Sequence, residues 1–173
     1  MKKPSYFILH PSFFIPHPFT LEERLSKIRL MLADDHAIVR AGLRMLLQSQ
    51  ADMEIVAEVD TGRAAVAKAK ELAPDIVLMD ISLPDIDGFE ATRQIKRILP
   101  EAAILALTMH ESDEYFFKML HAGASGYVPK KAAPTDLLTA IRTVRAGQVF
   151  LYPSVAKALV RDFVRHARAS GGA

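Results

Sequence analysis

No cysteine occurs among the 173 residues, so disulfides and thiolate-bound metals are excluded as supports for the fold. Nothing in the composition argues for an oxidising compartment, and a core of this length needs no covalent staple. No uninterrupted apolar segment approaches the roughly 20 residues that span a bilayer. Neither Gly-x-Gly-x-x-Gly nor a Walker-type glycine loop is present, which leaves nucleotide binding without sequence support. What remains is ordinary globular composition, 50% hydrophobic and 24% charged.

The formal net charge of +2 hides an uneven distribution. Residues 28–147 hold 14 Lys/Arg against 17 Asp/Glu, whereas residues 1–27 hold four basic and two acidic side chains, and residues 148–173 four and one. The basic character lies at the ends, and the centre is mildly acidic, a poor footprint for a nucleic-acid surface on a folded core. In the first 27 residues Lys2 and Lys3 precede the apolar Tyr6-Phe7-Ile8-Leu9, but Pro11, Pro16 and Pro18 interrupt the run and no small-residue cleavage site follows. This segment is expected to be a disordered N-terminal extension.

From Ile28 the chain alternates. Ile28–Ala33 is a short apolar run that stops at Asp34-Asp35, the pattern of a buried strand ending at a polar rim. Val39, Leu43, Leu46 and Leu47 then recur at helical spacing, predicting a helix over about residues 36–49. Glu54–Val59 reads as a second strand, and Thr61 as the N-cap of a helix with Ala65, Ala69 and Leu72 on one face. Asp75–Asp80 is the strongest strand in the chain. A loop with Pro84 and Gly88 leads to a helix with Ile95, Ile98 and Leu99 inward. Ala102–Leu107 reads as a fourth strand, Glu111–Ala122 as a helix stopped by Gly123, Ser125–Val128 as a fifth strand, and Pro134–Ala146 as a helix closed by Gly147. Five near-continuous apolar strands alternating with helices predict a doubly wound α/β fold with a parallel sheet covered on both faces. Gln148–Val164 reads as a linker with a short helix, followed by a frayed tail.

In open α/β sheets, ligands bind beyond the C-terminal ends of the strands, where the strand order reverses. The polar residues fall at those ends: Asp34 and Asp35, Asp80, Thr108 and Lys130. If the order is 2-1-3-4-5, three carboxylates converge on one pocket and repel one another. A hard divalent cation relieves the repulsion, and an all-oxygen cluster suits Mg²⁺. An oxygen of Asp80 is then placed to attack phosphorus, with the Thr108 hydroxyl and the Lys130 ammonium to receive phosphoryl oxygens.

Asp34-Asp35, Leu78-Met79-Asp80, Leu83-Pro84-x-x-Asp87-Gly88, Leu107-Thr108 and Gly126-Tyr127-Val128-Pro129-Lys130, in this order, resemble the motifs of a response-regulator receiver domain of two-component systems. Ala33-Asp34-Asp35-His36-x-x-Val39-Arg40-x-Gly42-Leu43 and Leu107-Thr108-Met109-His110 are similar to the NarL/FixJ (LuxR-type) branch in particular. The resemblance covers about residues 28–147 and implies a flavodoxin-like (CheY-like) sheet of order 2-1-3-4-5. It further implies that Asp80 accepts a phosphoryl group from a histidine kinase, and that Asp34, Asp35, Asp80 and the backbone carbonyl of Ser82 hold Mg²⁺. Thr108 would be the switch hydroxyl, Tyr127 the switch aromatic and Lys130 the phosphate-binding lysine, with Ser82 and His110 at positions that tune dephosphorylation. A cytoplasmic protein with a possible phosphorylation-dependent homodimer follows from the same likeness. DNA contact is expected only through a helix-turn-helix output domain that residues 148–173 lead toward and that the sequence does not contain. Ala37 departs from the branch, which often has proline there, and bears only on the helix start.

Other readings exist for the same residues. Asp34-Asp35 alone reads as a capping pair, Thr108 as a strand residue, Tyr127 as packing and Lys130-Lys131 as solvated surface; it is their joint placement that turns the balance. Asp85-x-Asp87-Gly88 lacks the rest of a calcium loop and reads as a turn. The six histidines show no metal-ligand spacing, and His36, His121 and His166 are expected at the surface. A phosphatase or phosphotransferase with an aspartyl-phosphate intermediate is the enzyme alternative. The haloacid-dehalogenase type requires an acid two residues after the nucleophile, where Ser82 stands, so no turnover of a separate substrate is expected. A non-phosphorylated binding module is the third possibility, and the complete set of pocket residues argues against it.

Overall fold

The computed structural model of the chain describes residues 26–109 and 112–170. Almost all of the N-terminal extension, His110 and the expected helix start at Glu111 lie outside the described residues.

The strands are β1 (Ile28–Ala33), β2 (Met53–Val59), β3 (Ile76–Asp80), β4 (Ala103–Thr108), β5 (Gly126–Pro129) and β6 (Phe150–Leu151). The helices are α1 (Ala37–Gln48), α2 (Gly62–Leu72), α3 (Gly88–Ile98), α4 (Asp113–Ala122), α5 (Pro134–Arg145) and α6 (Pro153–Ser170). All strand pairs are parallel, and the sheet order is β2-β1-β3-β4-β5-β6. The expected order therefore holds, with one strand more than the sequence pattern suggested. Phe150 and Leu151 pair with Gly126 and Tyr127 and extend the sheet beyond β5. Two residues are too few to show a periodicity, so β6 leaves no trace in the hydrophobic pattern.

Every residue of β3, β4 and β5 is buried, as expected of parallel strands covered on both faces. Alternate side chains feed two cores. Leu30, Leu32, Ile76, Leu78, Leu105 and Leu107 meet α1 and α5, while Met31, Val77, Met79, Ile104, Ala106 and Tyr127 meet α2, α3 and α4. Burying one such side chain stabilises by about 1.5–3 kcal/mol, so the sheet carries most of the apolar driving force.

Local chemistry sets the element ends. Thr61 Oγ1 accepts from Ala64 N at 3.1 Å and caps α2, and Asp87 Oδ1 accepts from Glu90 N at 2.8 Å and caps α3. Gly123 ends α4 at φ 106°, a left-handed conformation that disfavours a Cβ. Ile98, expected inward, is exposed instead. It sits in the last turn of α3, while Ala91, Thr92 and Ile95 occupy the buried face. The C-terminal helix α6 is longer than the short helix expected and is partly docked: Val155 and Ala158 are buried, and Arg161 donates to Asp113 Oδ2 of α4 at 3.1 Å. No described helix is long and apolar enough to cross a membrane.

Candidate functional site

The sheet register brings the strand ends to one level. Ala33 of β1 pairs with Met79 of β3, so Asp34 and Asp80 follow side by side. Asp80 pairs with Leu107 of β4, and Thr108 pairs with Pro129 of β5, which sets Lys130 at the same rim. The Lys130 amide donates to the Thr108 carbonyl at 2.7 Å and fixes the start of its loop. Gly88 opens α3 against β3 so closely that a Cβ there would collide with the Asp80 carbonyl oxygen. Only glycine fits the approach.

Charge at this rim is buried. Asp34 is 1% exposed and Asp80 2%, and Thr108 is buried beside them. Lys130 Nζ lies 2.6 Å from Asp34 Oδ2 and 3.0 Å from Asp80 Oδ2, at angles that make these ion pairs without aligned hydrogen bonds. The other oxygen of each carboxylate is held by the main chain. Asp34 Oδ1 accepts from His36 N at 2.8 Å, and Asp80 Oδ1 accepts from Ser82 N at 3.1 Å. Arg40 donates to the Asp34 carbonyl at 2.6 Å and ties α1 to the rim. Asp35 is the exposed member of the cluster.

The two buried carboxylates share one ammonium and so keep a formal excess of one negative charge, with the exposed Asp35 beside them. Burying such an excess costs far more than burying a balanced set, so the cluster favours a divalent cation. Asp34, Asp35, His36 and Asp80 each offer a ligand atom within 4.8 Å of the others, the one group of this kind among the described residues. Its carboxylates and the neighbouring Ser82 carbonyl are the hard oxygen donors that Mg²⁺ takes, so the residues fit that ion.

The sequence-derived site residues Asp34, Asp35, Asp80, Thr108 and Lys130 thus meet at one rim, with Ser82 bonded to Asp80. Tyr127 does not reach the rim: its ring is buried in the α4-side core, edge-on to Phe116 at 5.7 Å and 85°. His110 lies outside the described residues. Two residues were missed. His36, expected merely at the surface, points Nδ1 at all three carboxylates, 3.0 Å from Asp34 Oδ1, 2.9 Å from Asp35 Oδ1 and 3.7 Å from Asp80 Oδ2. Asp34 and Asp35 are its sequence neighbours and Asp80 comes from another strand, so no spacing between histidines flags it. Asp85, read as part of a turn, takes φ 67° and accepts from Gly62 N at 3.1 Å and Arg63 N at 3.2 Å, bridging the loop after β3 to the N-terminus of α2.

Comparison with known proteins agrees with this construction. Residues 30–142 match the family described as the response regulator receiver domain. The chain is 42% identical over 140 residues to the oxygen regulatory protein NreC of Staphylococcus haemolyticus, covering 80% of this chain and 64% of that protein. It is 40% identical over 132 residues to the response regulator GacA of Pseudomonas viridiflava, covering 76% and 62%. The chain therefore spans just under two thirds of the length of these curated relatives. Among solved structures, a LuxR-family two-component response regulator from Aurantimonas sp. superposes with a TM-score of 0.76 at 40% identity, covering 80% of this chain and 99% of the other. The isolated REC domain of RcsB from Salmonella enterica, solved with the phosphomimetic BeF3−, gives 0.71 at 29% identity, covering 77% and 99%. Motif order, strand-end chemistry and these likenesses agree: the chain belongs to the response regulator receiver domain family of two-component systems and is homologous to its LuxR-type regulators.

Proposed function

We propose that this receiver domain is switched by phosphorylation of Asp80. The observation that carries the reading is the pair of buried carboxylates, Asp34 and Asp80, sharing the Lys130 ammonium at 2.6 and 3.0 Å. An Asp80 carboxylate oxygen attacks the phosphorus of a phosphohistidine on a partner kinase. The new O–P bond forms as the N–P bond breaks, and the imidazole leaves as the neutral base after taking a proton. Lys130 and the Thr108 hydroxyl then receive the phosphoryl oxygens, which exchanges a carboxylate-bound ammonium for a phosphate-bound one. Asp34, Asp35, Asp80 and the Ser82 carbonyl are the residues that would hold Mg²⁺, whose chemistry is to neutralise charge on the phosphoryl oxygens.

Movement of Thr108 toward the phosphoryl group would open space near β4 and β5 into which Tyr127 can turn. That ring now packs on Phe116 of α4, so its rotation would alter the surface formed by α4, β5 and α5. A coupling of about 1–3 kcal/mol would shift populations by about 5- to 150-fold, enough for regulation. The output is self-association and, in a longer parent protein, control of a DNA-binding domain. The whole relatives are named as regulators, which supports that assignment. The domain acts in the cytoplasm on its own aspartate and turns over no separate substrate.

Incubation with Mg²⁺ and acetyl phosphate, followed by intact-mass measurement, tests the assignment. One phosphoryl adduct per chain is expected, absent without Mg²⁺ and absent in Asp80→Asn. An adduct that survives in Asp80→Asn would move the acceptor elsewhere, and sustained hydrolysis of a phosphate ester would favour an enzyme.

A further inference from the structure

We infer that Asp85 is a positioning residue for phosphoryl transfer: it clamps the loop after β3 to helix α2 and thereby orients the Asp80 carboxylate through the Ser82 amide. The inference rests on the reading of Asp80 as the acceptor and adds to it a residue from outside the rim.

Asp85 stands where most side chains are disfavoured. Its φ of 67° lies in the left-handed region, which Asp and Asn tolerate better than other residues with a Cβ. Glycine would take the same backbone at no steric cost, so the conformation alone does not call for an aspartate. The carboxylate does. Its Oδ1 accepts from Gly62 N at 3.1 Å, from Arg63 N at 3.2 Å and from the amide of its neighbour Ile86. The first two are donors in the opening turn of α2, which no helical carbonyl reaches. Capping alone does not account for the contact, because Thr61 already caps α2 through the Ala64 amide. Gly62 N also donates to the Pro84 carbonyl at 3.3 Å, and a Cβ at Gly62 would collide with the Ile86 carbonyl oxygen. Loop and helix therefore meet backbone to backbone, with the Asp85 carboxylate across the joint.

The segment held this way is the one that follows the acceptor. Ser82 N donates to Asp80 Oδ1 at 3.1 Å, which turns Oδ2 toward Lys130 Nζ at 3.0 Å. The last torsion of an aspartate has a broad energy profile, so hydrogen bonds rather than rotamer preference set where its oxygens point. Ser82, Pro84, Asp85 and Asp87 are exposed, and water surrounds much of the loop. Its far end is tied where Gly88 N donates to the Ile81 carbonyl at 2.9 Å. Between these points the Asp85 carboxylate is a side-chain tie to another element, three residues from Ser82. Loosening it would let the Ser82 amide drift and the carboxylate turn. With acetyl phosphate as donor, Asp80 Oδ2 forms the new O–P bond as the bond to acetate breaks, and acetate leaves with the electron pair. Only an oxygen in line with that bond reacts, so orientation enters the rate directly.

The full chain and its Asp85→Gly, Asp85→Asn and Thr61→Ala variants would be phosphorylated with acetyl phosphate at saturating Mg²⁺. The rate constant is read by intact mass, exchange of the Ser82 amide by NMR, and folding by thermal melts. Asp85→Gly keeps the left-handed backbone and removes the acceptor. Misplacing a reacting group by about 1 Å costs up to about 100-fold, so a loss of about tenfold in rate is expected, with Ser82 exchange faster by a similar factor. Asp85→Asn keeps an acceptor oxygen and tolerates the same backbone, and should bring the rate back to within about twofold of the unaltered chain. Thr61→Ala removes a cap from the same helix; it should lower the melting temperature and leave the rate and Ser82 exchange unchanged. An unchanged rate in Asp85→Gly, or a loss that Thr61→Ala reproduces, would reduce Asp85 to a helix cap and overturn the inference. A slower rate without faster Ser82 exchange would overturn it too. If the unaltered chain takes no adduct on Asp80, the acceptor reading itself falls, and the inference with it.

Discussion

The rim of the sheet and the helix α6 break the same rule in opposite directions. At the rim, Asp34, Asp80 and Lys130 are charged and almost wholly buried. On α6, Val160 and Phe163 are apolar and 62% and 74% exposed. Charged side chains are almost never fully buried unless paired, whereas single exposed hydrophobics are common. The two departures therefore differ in weight. Each buried carboxylate at the rim answers to a named cation or amide, and removing one partner leaves the rest costly. The exposed face of α6 answers to nothing among the described residues, so its side chains can be exchanged with little effect on the fold.

The sharpest way to break this contrast is Lys130→Met. Breaking a buried ion pair costs about 3–5 kcal/mol because the remaining charge is stranded, and a loss of that size is expected in urea unfolding. A loss below about 1 kcal/mol would make the rim no more dependent on its pairing than a surface site. On α6 the two faces should separate. Val155→Ala removes two buried methyl groups and should cost about 1.5 kcal/mol, read by the same unfolding curves. If it costs nothing, α6 is not docked in solution and the contrast must be redrawn around a free helix.

An exposed ion pair sharpens the rim side of the comparison. Arg142 of α5 donates to Asp52 Oδ2 at 2.9 Å and Oδ1 at 3.0 Å, with both side chains about half exposed. The Arg142 hydrogen bond holds the Asp52 carboxyl below its ordinary range. Because the folded value is depressed, the contribution is complete above about pH 4 and disappears as the pH falls through the folded value. Solvent screening limits it to about 0.2–1 kcal/mol, and a double-mutant cycle with Asp52→Asn and Arg142→Gln, repeated at falling pH, should show it vanish as the Asp52 carboxyl takes up its proton. The smallest effect belongs to Phe163→Ser, which should alter stability by no more than about 0.5 kcal/mol. A larger loss would mean that the exposed face of α6 is covered in solution.

Most of the frame was legible because burial on both faces writes itself into a strand as an uninterrupted apolar run. Ile76–Met79 and Ile104–Leu107 are such runs, and the polar residue that ends each marks the rim. Caps were legible for a similarly local reason: Thr61 and Gly123 act on atoms within a turn of themselves. What depends on distant backbone was not. His36 stands next to Asp34 and Asp35 in sequence, but only the fold brings all three to Asp80 of another strand, and only the fold brings Asp85 to the start of α2. Ile98 has the right spacing to face inward, but helix position alone does not say where the covering layer ends.

The two-residue strand β6 has a consequence for how the domain can be cut and kept in solution. Without it, β5 would be the border of the sheet, an entirely apolar, fully buried strand whose outer amides and carbonyls could recruit another chain. Phe150 and Leu151 occupy that border, the Phe150 amide donates to the Ser125 carbonyl at 3.0 Å, and the border ends after two residues at the turn into α6. The opposite border, β2, exposes Glu54 and Glu58. One border is guarded by brevity and the other by charge. Ending the protein at Gly147, where the helical pattern stops, would strip the first guard and leave a sheet primed to stack edge to edge.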